Sequence, residues 1–386
     1  MKKKMPLILS LIFVVFIGAW SSVIIKAREG NIKFTDLYGN RSELQNVQFD
    51  LERVKGIRRE NVYINKDGVE DKTTFNDDIL GKDFGENATF DKKFFRGLFP
   101  TKETFFEDKY VMVDVSNRLY ELKPHFEVRI KNKKDNTYDK FNVNVNLKIT
   151  ENYRINGIAY KDGKINILFL SNYELQPPFI GEIDVESRSF SISKIMKLDE
   201  KNKDIRADFF RGISYICGDK VYFLMNEDNG IDDLPLRGIL EVDLNSKSVN
   251  LYKVNEDVLK EIKEMKESNY RGSSYFKAGK IYIKIQSIKG ENQSLLTFNI
   301  DTKKYKFYKN IIEKERVERY GIKFDDIESI FIHDGKAYLN LVDFNKKDNF
   351  YYEGYLVVVD INSKNPVYIG KYTGGDLKDI KIIGGN

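Results

Sequence analysis

The sequence is poor in the residues from which metal sites and disulfides are built. Its 386 residues include one cysteine, Cys217, and two histidines, His125 and His333. A single thiol excludes an internal disulfide and a cysteine-based zinc cluster. Two histidines exclude a metal site with several histidine ligands. We therefore predict a protein that holds no metal and no other cofactor.

Tryptophan and proline are also scarce, whereas the other aromatic residues are abundant. Trp20 is the one tryptophan and there are seven prolines, against 27 phenylalanines and 23 tyrosines. This balance favours β-strands. The hydrophobic share of 41% and the charged share of 32% are typical of a folded chain and not of a disordered one. The length allows two or three ordinary domains or one large β domain.

One long apolar run stands at the N-terminus. Residues 5–25 are 21 uncharged residues that follow three lysines at positions 2–4 and precede Lys26. As a helix rising about 1.5 Å per residue, the run would extend about 31 Å, the thickness of a bilayer's hydrocarbon core. The lysines predict that the N-terminus stays inside and the rest is exported. We expect residues 1–30 to be a single-pass anchor in the cell membrane and residues 31–386 to form an extracytoplasmic domain.

Two alternatives to an uncleaved anchor remain open. A cleaved signal peptide would release a secreted protein, but its cleavage site needs small residues at positions −3 and −1. Cleavage after Ala27 would place Ile25 at −3, and cleavage after Ala19 would place Ile17 there. The second alternative is a helix buried in the core of the domain.

Positive charge is concentrated in the same N-terminal segment. Residues 1–30 hold five basic residues and one acid, a net charge of +4 out of +5 for the whole chain. Residues 31–386 are left with a net charge of +1. A domain so close to neutrality has no excess of positive charge to drive nucleic-acid binding, so we expect no nucleic-acid partner.

A repeated pattern organises the exported part. An apolar pair is followed by a tight turn ending in lysine and then by an alternating strand. The marker lysines step by 55, 56, 60 and 56 residues, and a degenerate sixth copy covers residues 59–64. The markers are Lys109, Lys164, Lys220, Lys280 and Lys336.

A second pattern follows the last four markers. An aspartate ends an apolar strand and opens a short polar turn, where its side chain can accept hydrogen bonds from backbone N–H groups of the turn. These aspartates step by 59, 58 and 59 residues, and a structural role accounts for them. They are Asp184, Asp243, Asp301 and Asp360.

Together the patterns predict one four-stranded antiparallel sheet per repeat. The lysine turn joins the first two strands and the aspartate turn joins the last two. A lone sheet of this kind cannot bury both faces, whereas a radial arrangement lets each sheet cover its neighbour. The period and hairpins of residues 50–386 resemble a β-propeller, although no motif of a specific propeller family is present. We predict an all-β propeller of six four-stranded blades.

Seven blades are the alternative, if residues 31–50 or 372–386 complete another one. The first strand, residues 32–34, is predicted to pair with the last, residues 380–383, and so close the ring. Helical periodicity predicts short helices between blades at residues 256–268 and 311–320, with a third at residues 87–99.

Arginines recur just before the predicted first strands of several repeats. Each follows an aromatic residue, and Arg154, Arg211 and Arg271 precede their marker lysines by 10, 9 and 9 residues. Arg96, 13 residues before Lys109, is a fourth candidate. If the first strands surround a channel, these side chains converge on one mouth and bind a carboxylate, phosphate or sulfate. The alternative is that they pair with acids to fix the junctions between blades.

The most favoured function is non-catalytic. We expect a sensor, scaffold or assembly factor that binds a protein partner or an anionic ligand at one face. The alternative is a glycan-acting hydrolase or lyase in which the arginines hold an acidic substrate. Asp325 or Asp326, which stand where the last repeat lacks an arginine, would then be the acid or base. A purely structural surface protein is the third possibility.

Overall fold

The computed structural model describes most of the chain beyond the N-terminal run. The described residues are 32–55, 58–72, 91, 93–96, 101–118, 125–145, 153–171, 177–195, 214–226, 236–266, 270–287, 292–348 and 351–383. The predicted anchor lies outside them. Within these ranges no helix has the length and apolar character needed to cross a membrane.

The described chain is almost entirely β-structure. Two helices, α1 (Glu256–Lys266) and α2 (Lys314–Glu318), and a 3₁₀ turn at Arg41–Leu44 interrupt it. The strands are β1 (Lys33–Gly39), β2 (Val47–Lys55), β3 (Arg58–Asn65), β4 (Gly68–Lys72), β5 (Phe105–Glu107), β6 (Val111–Arg118), β7 (His125–Asn132), β8 (Tyr138–Asn144), β9 (Tyr153–Lys161), β10 (Lys164–Ser171), β11 (Phe179–Asp184), β12 (Ser189–Ile195), β13 (Ser214–Cys217), β14 (Lys220–Asn226), β15 (Leu236–Asp243), β16 (Ser248–Lys253), β17 (Tyr270–Lys277), β18 (Lys280–Ser287), β19 (Asn292–Asn299), β20 (Lys304–Glu313), β21 (Asp326–His333), β22 (Lys336–Asp348), β23 (Tyr351–Asp360), β24 (Pro366–Thr373) and β25 (Asp376–Ile382).

These strands form six sheets within the described ranges, which confirms the predicted number of repeats. Sheet I has the strand order β25-β2-β3-β4. Sheets II to V are β5–β8, β9–β12, β13–β16 and β17–β20, each with neighbours in chain order. Sheet VI is β21–β24 with β1 added as a fifth strand at its edge. The prediction of all-β, four-stranded antiparallel sheets is therefore confirmed, with sheet VI extended by one strand.

The chain divides into two compact units. The first combines residues up to Asn76 with Gln286–Ser294 and Tyr308–Asn386, and so contains sheets I and VI. The second combines Asp77–Ile285 with Leu295–Phe307, and contains sheets II to IV and most of sheet V. Each unit contains buried aliphatic and aromatic side chains from both faces of its sheets.

Four of the five lysine turns are two-residue hairpins, as predicted; the turn at Lys109 is longer, since Glu107 pairs with Met112. Asp162 and Gly163 both have positive φ, 50° and 76°, and Lys161 and Lys164 pair across the turn. Two positive φ values give the turn the twist that suits a right-handed antiparallel pair. The turns before Lys280 and Lys336 have the same conformation, through Ala278–Gly279 and Asp334–Gly335.

The turn between the last two strands has the predicted aspartate as hydrogen-bond acceptor in three sheets. In the fourth sheet the acceptor is a different residue. Each of these turns has a left-handed residue, and the side chain four positions earlier accepts a hydrogen bond from the N–H before it. In sheet V that acceptor is Asn299, which takes the N–H of Thr302 at 2.8 Å; Asp301 is an exposed turn residue. The prediction for Asp301 was wrong because asparagine supplies the same oxygen two positions earlier. The other acceptors are Asp184, Asp243 and Asp360, with N–H donors Ser187, Ser246 and Ser363.

This register can be tested by paired alanine variants. Asn299→Ala should lower the free energy of unfolding by about 1 kcal/mol, the usual contribution of one such hydrogen bond. Asp301→Ala should change it by less than about 0.5 kcal/mol, as surface substitutions usually do. Urea unfolding of the two variants measures the difference. A larger loss in Asp301→Ala than in Asn299→Ala would restore the original assignment.

Both chain ends join sheets, but not as predicted. Residues 32–34 and 380–383 were expected to pair with each other. Instead β1 pairs with β24, and β25 pairs with β2, where Val47 faces Ile382. The reason lies in β2, whose Val47, Phe49 and Leu51 are fully buried, whereas β1 is mostly exposed. The degenerate copy at residues 59–64 is β3, the third strand of sheet I and not its second.

The helix between sheets IV and V is confirmed. α1 spans Glu256–Lys266, with Ile262 buried and Val258 packed against the same core cluster. The helix predicted at residues 311–320 is shorter, since β20 continues to Glu313 and α2 ends at Glu318. Of the third predicted helix, residues 93–96 form a turn and most of the rest lies outside the described residues.

Within the second unit, sheets III, IV and V contact each other in chain order through a repeated ion pair. Lys247, the left-handed residue of the β15–β16 turn, donates from Nζ to Glu182 Oε2 of β11 at 2.7 Å. Lys303, the left-handed residue of the β19–β20 turn, donates to Glu241 of β15. Each turn lysine thus reaches back to the third strand of the preceding sheet.

The first strands of these sheets are joined in a similar way. Asn156 Nδ2 of β9 donates to Ser214 Oγ of β13 at 3.2 Å. The Tyr215 hydroxyl of β13 donates to Ser274 Oγ of β17 at 2.8 Å. Successive sheets are therefore in contact at their first strands as well as at their turns.

Candidate functional site

Arg154 lies within the first strand of its sheet and not before it. Its backbone pairs with Leu170 of β10, and β9 is an edge strand of sheet III. The side chain is exposed, and it makes no hydrogen bond or ion pair with another residue in the described part of the chain. Its guanidinium is therefore available to a ligand.

A bulge explains the spacing of this arginine. The register of β9 and β10 shifts between Leu168 and Phe169, so that Asn156 is an extra residue in β9. An insertion of this kind bends the strand and redirects the side chains next to it. β9 thus holds one extra residue between Arg154 and Lys164, which stand ten positions apart. Arg271 and Lys280 stand nine positions apart.

Sheet VI has the same bulge with an acid in place of the arginine. The register of β21 and β22 shifts between Ile327 and Ser329, and Asp326 faces Val342. Val342 lies six residues beyond the marker Lys336, as Leu170 lies six beyond Lys164. Asp326 therefore occupies in sheet VI the position that Arg154 occupies in sheet III.

The other predicted arginines are placed only in part. Arg271 is the second residue of β17, and its side chain lies outside the described residues. Arg211 lies wholly outside them. Arg96 ends the described turn 93–96 with its side chain exposed. Whether the four side chains converge stays a prediction.

Most arginines whose side chains are described bind an acid, which sets Arg154 and Arg96 apart. Arg319 is the other exposed arginine without such a pair in the described ranges. The paired ones are Arg41 with Asp36, Arg53 with Glu60, Arg129 with Glu127, Arg188 with Asp139 and Arg316 with Glu313. Arg154 and Arg96 therefore do not fit the scaffold interpretation, in which every repeated arginine pairs with an acid.

The two aspartates of the enzyme alternative make local contacts. Asp325 Oδ2 accepts the N–H of Phe344 at 2.8 Å and Nδ2 of Asn345 at 3.0 Å. Asp326 Oδ1 accepts the N–H of Ile327 at 2.7 Å. These bonds position backbone at the end of sheet VI. No cluster of three or more histidine, cysteine or acidic side chains suited to a metal ion occurs in the described ranges.

The segment that carries Arg96 is held on sheet II by a buried arginine. Arg129 of β7 pairs through Nη2 with Glu127 Oε1 at 2.6 Å. Its Nη1 donates to the backbone carbonyls of Phe94 at 3.1 Å and of Arg96 at 2.8 Å. The backbone of residues 94–96 is thus held by Arg129, while the Arg96 side chain stays exposed.

A buried acid next to this arginine was not found from the sequence. Asp114 of β6 faces Arg129 in register, is fully buried, and accepts a hydrogen bond from Ser116 Oγ at 2.8 Å. Burial raises the pKa of Asp114 to about 6, against the opposing effects of the Ser116 bond and the Arg129 charge. Its position between Val113 and Val115 was the one signal in the sequence, since an acid inside an apolar strand is unusual.

Asp114 gives a testable pH dependence. Because its folded pKa lies above its unfolded value, the carboxyl stabilises the fold when protonated and loses that contribution as pH rises towards 6. Asp114→Asn should therefore be more stable than the native chain at pH 7.5, by about 2 kcal/mol. At pH 4 the two should differ little. Chemical unfolding at both pH values measures this, and a variant that is less stable at pH 7.5 would contradict the assignment.

Comparisons with known proteins identify no family. No family model and no curated protein matches the sequence. TolB from Acinetobacter baumannii has a TM-score of 0.31 at 13% identity, and the match covers 87% of this chain and 66% of TolB. A prolyl endopeptidase has a TM-score of 0.33 at 7% identity, and the match covers 93% of this chain and 51% of the endopeptidase. Dipeptidyl peptidase 4 from Porphyromonas gingivalis has a TM-score of 0.34 at 8% identity, and the match covers 83% of this chain and 43% of the peptidase. The chain thus spans less than two thirds of their lengths, and TM-scores this low support no conclusion on function.

Proposed function

We propose that this protein is a six-bladed β-propeller, anchored in the membrane by residues 1–30, that binds an anionic ligand at one face of its extracytoplasmic domain. It does so without catalysis, as a sensor, scaffold or assembly factor. The observation that carries the proposal is the side chain of Arg154, which is exposed and has no partner among the described residues. The ligand is a carboxylate, phosphate or sulfate, since guanidinium groups bind these through paired hydrogen bonds.

The propeller arrangement is supported by the connections among sheets. Sheets III, IV and V contact each other in chain order through their first strands and turn lysines. Sheet I is completed by the C-terminal strand β25 pairing with β2. In a ring of blades, such a shared sheet joins the two ends of the chain. A radial arrangement would bring the first strands, with Arg154 and Arg271, around one channel.

The enzyme alternative has less support. It needs Asp325 or Asp326 as an acid or base near the arginines. Asp325 already accepts two hydrogen bonds from the Phe344–Asn345 stretch. An aspartate used in this way holds a loop, and the exposed arginines alone suffice for binding.

The proposal predicts ligand-dependent stability that depends on one arginine. The full chain in detergent micelles would be unfolded thermally with sulfate, phosphate or glucuronate. A ligand at 100 times its dissociation constant should add about 2.7 kcal/mol to the free energy of unfolding. Arg154→Gln should lose most of this gain, because it removes the bidentate donor.

Arg319→Gln is the matched control, since it removes the same charge from another exposed arginine without an acid partner in the described ranges. It should keep the full ligand effect. An equal effect in both variants would reject Arg154 as the site. A complete lack of stabilisation by any anion would reject the anionic ligand and direct the search to a protein partner.

A further inference from the structure

The hairpin of β22 and β23 extends beyond the rest of sheet VI. β22 has 13 residues, whereas β21 and β24 have 8 each. The register is interrupted after Asp343, so residues 344–346 leave the ladder. Asp325 holds this irregular stretch by accepting hydrogen bonds from Phe344 N and Asn345 Nδ2. The stretch is therefore a fixed part of the fold.

This stretch presents an aromatic side chain and a lysine to solvent. Phe344 is 46% exposed, and its ring packs edge-on against Tyr352 at 5.1 Å. The Lys346 side chain is 52% exposed and forms ion pairs with Asp343 at 3.7 Å and with Glu353 at 3.3 Å. Moving the exposed part of the Phe344 ring out of water would be favourable. Aromatic rings suit the interfacial layer of a membrane, where they lie at the level of the headgroups.

The chain arrives from the predicted anchor at the same end of sheet VI. Phe34, the second residue of β1, pairs with Tyr372, which pairs in turn with Gly354. The start of β1 is therefore level with Gly354, two residues from Tyr352. Two strand spacings separate β1 from β23 by about 10 Å.

The length of the connecting chain keeps this end near the membrane. Eight residues lead from Ile25, the last residue of the apolar run, to Lys33 at the start of β1. Fully extended, they reach at most about 28 Å. If the run spans the bilayer, the end of sheet VI that carries Phe344 lies within reach of the headgroups.

We propose that Phe344 and Tyr352 contact the surface of the bilayer that anchors the chain. The proposal rests on the membrane anchor of the proposed function and not on anion binding at Arg154. The contact would turn the Asp326 end of sheet VI towards the membrane. It would also hold sheet VI in one orientation relative to the bilayer, which a single connection to the anchor could not do.

The test uses tryptophan as a depth reporter in the full chain. Trp20 is the one tryptophan, so Trp20→Phe gives a background without this fluorophore. Phe344→Trp then places one reporter at the proposed contact. Tyr110→Trp is the matched control, because Tyr110 is 61% exposed in the turn between β5 and β6. Both chains are reconstituted into vesicles of phosphatidylcholine and phosphatidylglycerol with brominated acyl chains, which quench tryptophan on contact.

Phe344→Trp should lose most of its emission to the brominated lipid and emit at shorter wavelength, while Tyr110→Trp should keep its emission. Equal quenching of the two reporters in chains that float with the vesicles would overturn the membrane contact alone. A chain that does not float would overturn the contact together with the anchor. Loss of anion binding in Arg154→Gln would leave the quenching unchanged, so the two proposals fail separately.

Discussion

Replacing Lys303 by methionine is expected to lower the free energy of unfolding by about 3 kcal/mol at pH 7, because it leaves a buried carboxylate without its main partner. The Glu241 side chain is 3% exposed and binds Lys303, with Lys220 Nζ at 3.6 Å. Burial opposes ionisation, yet the pKa of Glu241 is lowered, first of all by the Lys303 hydrogen bond. A group with a lowered pKa stabilises the fold above its unfolded pKa, and this contribution is lost as pH falls. The deficit of the variant should therefore shrink below about pH 4.

Lys247→Met is the matched control for this prediction. It removes the equivalent turn lysine, but its partner Glu182 is 15% exposed and also binds Lys164. More exposed pairs contribute less, so the loss should be about 1 kcal/mol. Guanidinium unfolding of both variants gives the ranking. If the two losses are equal, or if Lys247→Met loses more, the buried pair between sheets IV and V is not the stronger junction.

Gly354→Ala is expected to cost about 3 kcal/mol through overpacking. A Cβ at Gly354 would lie 2.1 Å from Cζ of Tyr372 and 2.4 Å from its hydroxyl oxygen. The ring cannot move aside freely, since Tyr372 is 2% exposed and its hydroxyl donates to Asn340 Oδ1 at 2.7 Å. Moving it would leave that buried amide oxygen without its donor, which adds a desolvation penalty.

A double variant tests whether Tyr372 is the cause. Tyr372→Leu removes the clashing ring at its own cost, and Gly354→Ala should add little in that background. The stabilities of the two single variants and the double variant form the cycle. Strictly additive losses would show that Gly354 is intolerant for a reason other than the ring.

The repeat could be predicted because turns carry the most local information. Asp162–Gly163 and Ala278–Gly279 adopt a conformation with two positive φ values, which favours a short list of residues. Because such residues stand directly before the marker lysines, the repeat can be recognised in the sequence. The acceptor in the second turn tolerates asparagine as well as aspartate, so Asp301 was chosen where Asn299 acts.

Contacts between sheets left much weaker signals. The Lys303–Glu241 pair joins residues 62 positions apart, and neither has an unusual sequence neighbour. Which strands pair with β1 and β25 depends on the burial of β2. No hairpin turn connects these strands to their partners, so the sequence carries no local signal for the pairing. The spacing from Arg154 to Lys164 did not by itself reveal that Arg154 pairs with Leu170. The bulge at Asn156, which adds one residue to β9, had to be known first.

The convergence of the arginines is the central claim, and one distance tests it most directly. Cys217 is the one cysteine, so Cys217→Ser permits spin labels at Arg154→Cys and Arg271→Cys in the full chain. An arginine side chain reaches about 7 Å, and a small anion hydrogen-bonded to both adds about 6 Å, so two converging arginines need Cα atoms within roughly 20 Å. Pulsed electron spin resonance should give one narrow distance distribution in that range. A distribution centred beyond roughly 30 Å would contradict a shared anion site at one channel mouth.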